Sequence, residues 1–186
     1  MNTIQDITNF IFIGKNIDEL SHYDLLIINA DWAEEQLAKD MRIMLERNII
    51  DEDTLFIICD SHQPDYGRSS AQVLIDCLKK ENINNKTIIN DKYISNPEIL
   101  RNIDKLVNLN DYNRILRIAK DFVARRWYMN AKRHNFPIEK CDFYGVYDNR
   151  NINKNDWYKS DVAIKQVMKE FINIGQQTIA DELSIK

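Results

Sequence analysis

Apolar positions along the chain follow two alternating patterns. Short continuous apolar runs recur, and between them apolar residues return every three or four positions. The runs Asp24 to Ala30 (DLLIINA), Thr54 to Cys59 (TLFIIC), Lys86 to Ile89, Arg114 to Ala119 and Cys141 to Tyr147 predict five strands. The run Asp24 to Ala30, without polar alternation, suits a strand covered on both faces. Helical stripes lie at Thr3 to Phe12, Asp31 to about Arg47, Arg68 to Glu81, Asn96 or Pro97 to Leu109, Asp121 to His134, and Asp161 to about Gly175. Val73, Leu74, Cys77 and Leu78 face inward on the third of these. Val162, Val167, Met168 and Phe171 do so on the last. Asp31 reads as an N-cap, with Glu34 at the capping-box position. Repeated strand–helix units with short links predict a three-layer α/β fold, a mostly parallel, doubly wound sheet of about five strands with helices on both faces. No internal repeat or low-complexity linker divides the 186 residues, so residues 1–186 read as a single domain.

Composition narrows the classes. A hydrophobic fraction of 44% is that of a globular protein, and no segment approaches the roughly 18 apolar residues of a membrane span. The run Ile11 to Ile13 is short and lacks a basic flank, which predicts no signal peptide. Three cysteines, Cys59, Cys77 and Cys141, have no paired spacing, against a disulfide framework or a zinc site. The expected setting is reducing and cytoplasmic. A net charge of −4 argues against a general nucleic-acid binder.

Open parallel sheets bind ligands outside the carboxyl ends of their strands, near the point where strand order reverses. That rule selects loops holding Asn29, Asp31, Asp60, His62, Arg68, Ser69, Ser70, Asp91, Glu98, Asp121, Arg125 and Arg126. The segment ILRIAKDFVARRWYMNAKRH, Ile115 to His134, stands out: a strand delivers an aspartate and two arginines to the mouth of a helix. The loop DSHQPDYGRSS is the natural specificity loop.

Each residue has a plainer reading. Asp31 and Asp121 sit where N-caps sit. Arg125 and Arg126 suit a solvated helix face as well as a phosphate or carboxylate. Ser61 beside His62 lacks a nucleophile elbow, and adjacent residues seldom align for proton transfer. His62 and His134 lack metal-ligand spacing, and no metal is expected. Cys59 suits a buried small hydrophobe, His22 the surface, and Trp127, Tyr128 and Met129 a helix core. Only Gly14, Gly67, Gly145 and Gly175 occur, and none forms a dinucleotide fingerprint or a P-loop. Any phosphate or carboxylate would have to rely on helix N-termini and arginines.

The order of these pieces resembles the ElyC/SanA/YdcF family of bacterial Rossmann-like proteins, from about residue 1 to residue 175. The resemblance is carried by the N-terminal helix and by the strand opening at Asp24 with its turn Asn29, Ala30 and Asp31. It continues through Arg68 to Ala71 (RSSA), Glu98 in SNPEILRN, and Asp121, Arg126 and Met129 in the fourth unit. Trp157, Ser160 and Glu170 before and within the last helix complete it. The chain departs from the pattern at Ala30 and at Cys59 to Ser61, where the family carries glycines. Ser70 stands for a glutamate and Ile99 for an asparagine, which removes two polar groups from the family's pocket.

Family members mostly have undefined activity. Some are linked to envelope or peptidoglycan maintenance, and S-adenosylmethionine binding is associated with the YdcF branch. The resemblance therefore implies a cytoplasmic protein with a small-molecule site, an enzyme of transferase type binding S-adenosylmethionine or a nucleotide-like ligand. In that reading Asn29, Asp31, Asp60, His62, Arg68, Ser69, Ser70, Arg125 and Arg126 contact the ligand, with Arg68 and Arg126 clamping an anionic group. Glu98 and Asp121 then act as acid and base or orient those arginines. One alternative is a non-catalytic binding or regulatory protein on the same scaffold. Another is a hydrolase using Asp60 and His62. The expected partner is a small molecule, not nucleic acid or membrane.

Overall fold

The computed structural model describes residues 3–29, 33–60, 69–91, 96–147, 150 and 152–184, with backbone alone for 96 and 181–184. Strands β1 (Leu25–Ile28), β2 (Leu55–Cys59), β3 (Thr87–Asn90), β4 (Ile115–Lys120) and β5 (Cys141–Val146) form one sheet in the order β3-β2-β1-β4-β5, every pair parallel. Helices α2 (Glu34–Glu46), α3 (Ser70–Lys80), α4 (Asn96–Leu106) and α5 (Ala124–Arg133) make the crossovers. The chain winds outward through β1, β2 and β3, then returns to place β4 on the other side of β1. This is the doubly wound, three-layer Rossmann-like arrangement expected from the alternating pattern.

Alternation along each strand sorts the core into two layers. Leu26, Ile28, Phe56, Ile58, Leu116 and Ile118 pack against α2 and α3 through Leu37, Met41, Met44, Leu74 and Leu78. Leu25, Ile27, Ile57, Ile115 and Ala119 face α4 and α5 through Ile99, Ile103, Trp127 and Ala131. The reversal between β3 and β4 moves the crossover helix to the other face, as right-handed connections require. α1 (Thr3–Ile11) and α6 (Asp161–Ser184) add a third cluster, where Ile11, Phe122, Trp157, Val167 and Ile174 meet beside α5. No described helix is long and apolar enough to cross a membrane.

Several elements differ from the sequence expectations. α6 runs on through Gly175, because that glycine is exposed, a Cβ there would meet nothing, and Ile174 beside it is buried. Its inner face is Ala163, Val167, Glu170 and Ile174, whereas Val162 and Phe171 are exposed. Phe171 instead packs edge-on to Phe10 of α1, ring centres 5.5 Å apart. Glu170 takes an inward place because Arg126 of α5 grips it with two hydrogen bonds, 2.5 Å from Nε and 3.1 Å from Nη2. α4 stops at Leu106, and α3 opens at Ser70 with Ser69 as its N-cap. Trp127 is core, as expected, while Tyr128 is exposed. Arg117, hidden in an otherwise apolar strand, is fully buried. Its Nη1 donates to the carbonyls of Ile27 and Ile118, both at 3.0 Å.

The Arg126–Glu170 pair joins α5 to α6 and lies largely out of water. Arg126→Ala leaves a carboxylate buried without its cation, and urea unfolding should show a loss of about 3 kcal/mol. Replacing both residues by methionine should recover most of that loss. A single variant as stable as the wild type would show that the pair contributes nothing.

Candidate functional site

β4 ends at Lys120 and the chain turns at once into a 3-10 turn, Asp121–Val123, before α5. Phe122 inserts into the cluster beneath α1 and α6, which fixes the turn and leaves Asp121 against β5. There it meets two glycines. Gly145 stands on β5 in register with Ala119, and a Cβ on it would lie 2.5 Å from Cβ and Cγ of Asp121. A Cβ on Gly14 would lie 2.9 Å from Asp121 Oδ1. Glycine inside a strand commonly marks such a close approach.

The segment before β1 supplies the other wall. Lys15 forms a parallel bridge with Tyr144, and its N–H donates to the Phe143 carbonyl at 2.8 Å, so residues around Gly14 extend the sheet beyond β5. Asp142 anchors this segment. Its carboxylate accepts from Lys15 Nζ at 2.6 Å, Tyr23 Oη at 2.6 Å and Arg114 Nη2 at 2.9 Å. Burial alone would raise the Asp142 carboxyl, but these bonds outweigh it and hold the group below the usual carboxylate range.

Between the two walls lies a pocket of about 210 Å³, bordered by Gly14, Asn16, Asp121, Ile152, Asn153 and Lys154 among others. The Asp121 carboxylate is half-buried and accepts no hydrogen bond among the described residues. Burial pushes its pKa up to about 6, and Lys154 only partly offsets this. Lys154 donates to Asn16 Oδ1 at 3.3 Å and forms no ion pair with Asp121. Tyr144 also borders the pocket, but its hydroxyl donates to Asp40 of α2 at 3.0 Å, and burial followed by the Asp40 charge keeps the phenol protonated. A carboxyl poised near neutrality in a small pocket can take and return a proton.

The other anticipated residues have other positions. Asp121 is not an N-cap: Lys120 and Val123 hold those places before the 3-10 turn and α5. Asp60 ties β2 to the start of α3, accepting from the Ala71 N–H at 3.0 Å and Ser70 Oγ at 3.2 Å. Ser69 Oγ accepts from the Gln72 N–H at 3.1 Å. Asn29 is buried just after β1, where its N–H continues the ladder to the Ile118 carbonyl. Glu98, half-buried in the first turn of α4, does not border the Asp121 pocket. Arg125 donates to the Phe10 carbonyl at 2.8 Å and lies over the Phe10 ring, holding α1. Arg126 holds Glu170 rather than standing beside Asp121 as an anion clamp. Asp31, His62 and Arg68 lie outside the described residues.

Sequence reasoning overlooked Gly14, Gly145 and Lys154. An isolated glycine in the strand pattern CDFYGVY is itself a sign of close backbone or side-chain approach, and it was available. Lys154 carries no local signal. No protein-family model, curated protein or solved structure matches the chain.

Because the Asp121 value of about 6 lies above the ordinary 3.8, the folded chain holds this proton more tightly than the unfolded chain. The resulting stability is fully present below about pH 4 and is lost as pH rises through about 6. Asp121→Asn cannot ionise and should escape this decline, gaining about 2 kcal/mol on the wild type between about pH 4 and pH 7. Parallel pH curves for the two proteins would refute the assignment. Gly145→Ala must push the Asp121 side chain aside. Chemical unfolding should register a loss of about 1–3 kcal/mol, and the pH-dependent difference should shrink.

Proposed function

We propose that the chain is a YdcF-like small-molecule-binding protein, and an enzyme, whose ligand sits at the carboxyl ends of β4 and β5. The observation that carries this reading is the Asp121 carboxyl: half-buried, without a hydrogen-bond partner among the described residues, and facing a pocket. A purely capping or structural aspartate would accept from nearby donors, as Asp60 Oδ1 does from the Ala71 N–H and the Ser70 hydroxyl. Asp121 accepts a proton from a bound hydroxyl or amine and returns it at the end of the cycle. Lys154 offsets negative charge on the ligand.

The ligand class follows the family resemblance, S-adenosylmethionine or a nucleotide-like molecule, and transfer is the reaction type. The pocket sits one crevice along from the β1–β4 reversal point, between β4, β5 and the segment around Gly14. At about 210 Å³ it accommodates one end of such a ligand. A non-catalytic binding role is the second reading. It is favoured by the structural engagement of Arg125, Arg126, Asp60 and Ser69, residues that an enzyme built on the family pattern would turn toward its substrate. The hydrolase reading loses ground because Asp60 is engaged in starting α3.

A thermal-shift scan over S-adenosylmethionine, S-adenosylhomocysteine, nucleotides and sugar nucleotides tests the proposal. A true ligand at a hundred times its dissociation constant adds about 2.7 kcal/mol of stability. Incubation with the ligand found, followed by mass spectrometry, separates the two readings. Turnover by the wild type that Asp121→Asn abolishes identifies an enzyme, and binding without turnover identifies the regulatory role. If no ligand class shifts the melting temperature, the small-molecule reading fails.

A further inference from the structure

We infer that the Asp121 pocket binds an α-amino-acid group, its ammonium against the Asp121 carboxylate and its carboxylate against the Lys154 ammonium. The inference rests on the proposal that this pocket is a ligand site, and it names the chemistry the site selects.

Two opposite charges share one small hollow without forming an ion pair. Asp121 and Lys154 both border the pocket, and Lys154 is near enough to act on the Asp121 charge, yet no ion pair joins them. Lys154 is drawn instead to Asn16 Oδ1 at 3.3 Å. Both groups are held in place. The close packing of Asp121 against Gly14 and Gly145 restrains its side chain, and the buried neighbours Ile152 and Asn153 fix the start of the turn that carries Lys154.

A lone cation would satisfy Asp121 and leave Lys154 facing a like charge. A lone anion would do the reverse. A molecule carrying an ammonium and a carboxylate on one carbon presents each charge to its opposite and makes two charge-assisted contacts. Volume sets the remaining limit. About 210 Å³ is below the roughly 300–1,000 Å³ that encloses a drug-sized ligand, so a free amino acid or the amino-acid end of a larger molecule fits. Ile17, half-exposed, borders the same pocket and offers an apolar surface to a side chain.

Calorimetric titration of the full chain tests this with glycine, L-alanine and L-serine as zwitterions, and with methylamine and acetate as the separate halves. S-adenosylhomocysteine and adenosine, a larger molecule with and without the amino-acid end, complete the set. Binding of the zwitterions, or of S-adenosylhomocysteine over adenosine, supports the inference, provided methylamine and acetate bind at least about tenfold more weakly. The first pattern identifies a free amino acid as the source of the group, and the second a larger molecule. Asp121→Asn and Lys154→Gln should each weaken that binding about tenfold or more, with melting temperatures at the titration pH no lower than the wild type by enough to unfold the chain. Acetate or methylamine binding as tightly as the zwitterions overturns the inference, as does binding indifferent to both substitutions. If adenosine binds as tightly as S-adenosylhomocysteine and no zwitterion binds, the amino-acid inference falls while the small-molecule reading stands. If no probe binds here and none shifts the melting temperature in the wider scan, both fall.

Discussion

The architecture of the pocket depends on one carboxylate that is not in it. Asp142, near the start of β5, gathers Lys15, Tyr23 and Arg114 around itself. These come from the segment before β1, the approach to β1 and the approach to β4, so a single anion aligns three separate stretches of chain. The lysine it holds is the neighbour of Gly14. Together with the Lys15 N–H bond to the Phe143 carbonyl, that anchor holds the segment around Gly14 along β5, where it forms a wall beside Asp121. Three charge-assisted bonds on a partly buried group are among the stronger polar contacts a protein makes. They are strong enough to reverse the effect of burial on the Asp142 carboxyl.

Asp121 shows the opposite balance. It is the more deeply buried of the two and gains no donor among the described residues, so desolvation dominates and its proton is held to about pH 6. Two aspartates within one sheet edge are thus pushed in opposite directions by their surroundings. One becomes a fixed anchor and the other a group able to change charge near neutrality. The arginines that looked suited to a ligand are used elsewhere: Arg125 secures α1 through a backbone carbonyl and a ring face, and Arg126 secures α6 through Glu170. The strand-to-helix junction after β4 therefore divides its charges. The aspartate faces the pocket, while the arginines, four and five residues on, point to the added α1–α6 layer.

How much of this was legible differs by element. Continuous apolar runs marked the inner strands β1, β2 and β4, which are buried on both faces and leave no room for alternation, and the β–α order implied the parallel, doubly wound sheet. Helix ends were less legible. Gly175 looked like a terminus, but a helix stops where its packing stops, and Ile174 is still buried there. On α6 Val167 is inward as its spacing predicts, whereas Val162 and Phe171 are exposed and Glu170 is buried because Arg126 of α5 receives it. Arg117 was invisible for the same reason: a charged residue in a buried strand is tolerated where carbonyls of β1 and β4 receive it.

Local sequence determined which segments are strands and helices, which chemistry stands at the strand ends, and that Asp121 was worth attention. Those properties depend on side-chain type and spacing over a few residues. Tertiary structure alone decided which charges meet. Asp121 faces Gly14, Gly145 and Lys154, residues from opposite ends of the chain, while Arg126, five positions away, faces Glu170. Strand order and the direction in which each turn releases its side chain set those partnerships, and neither is written in any one segment.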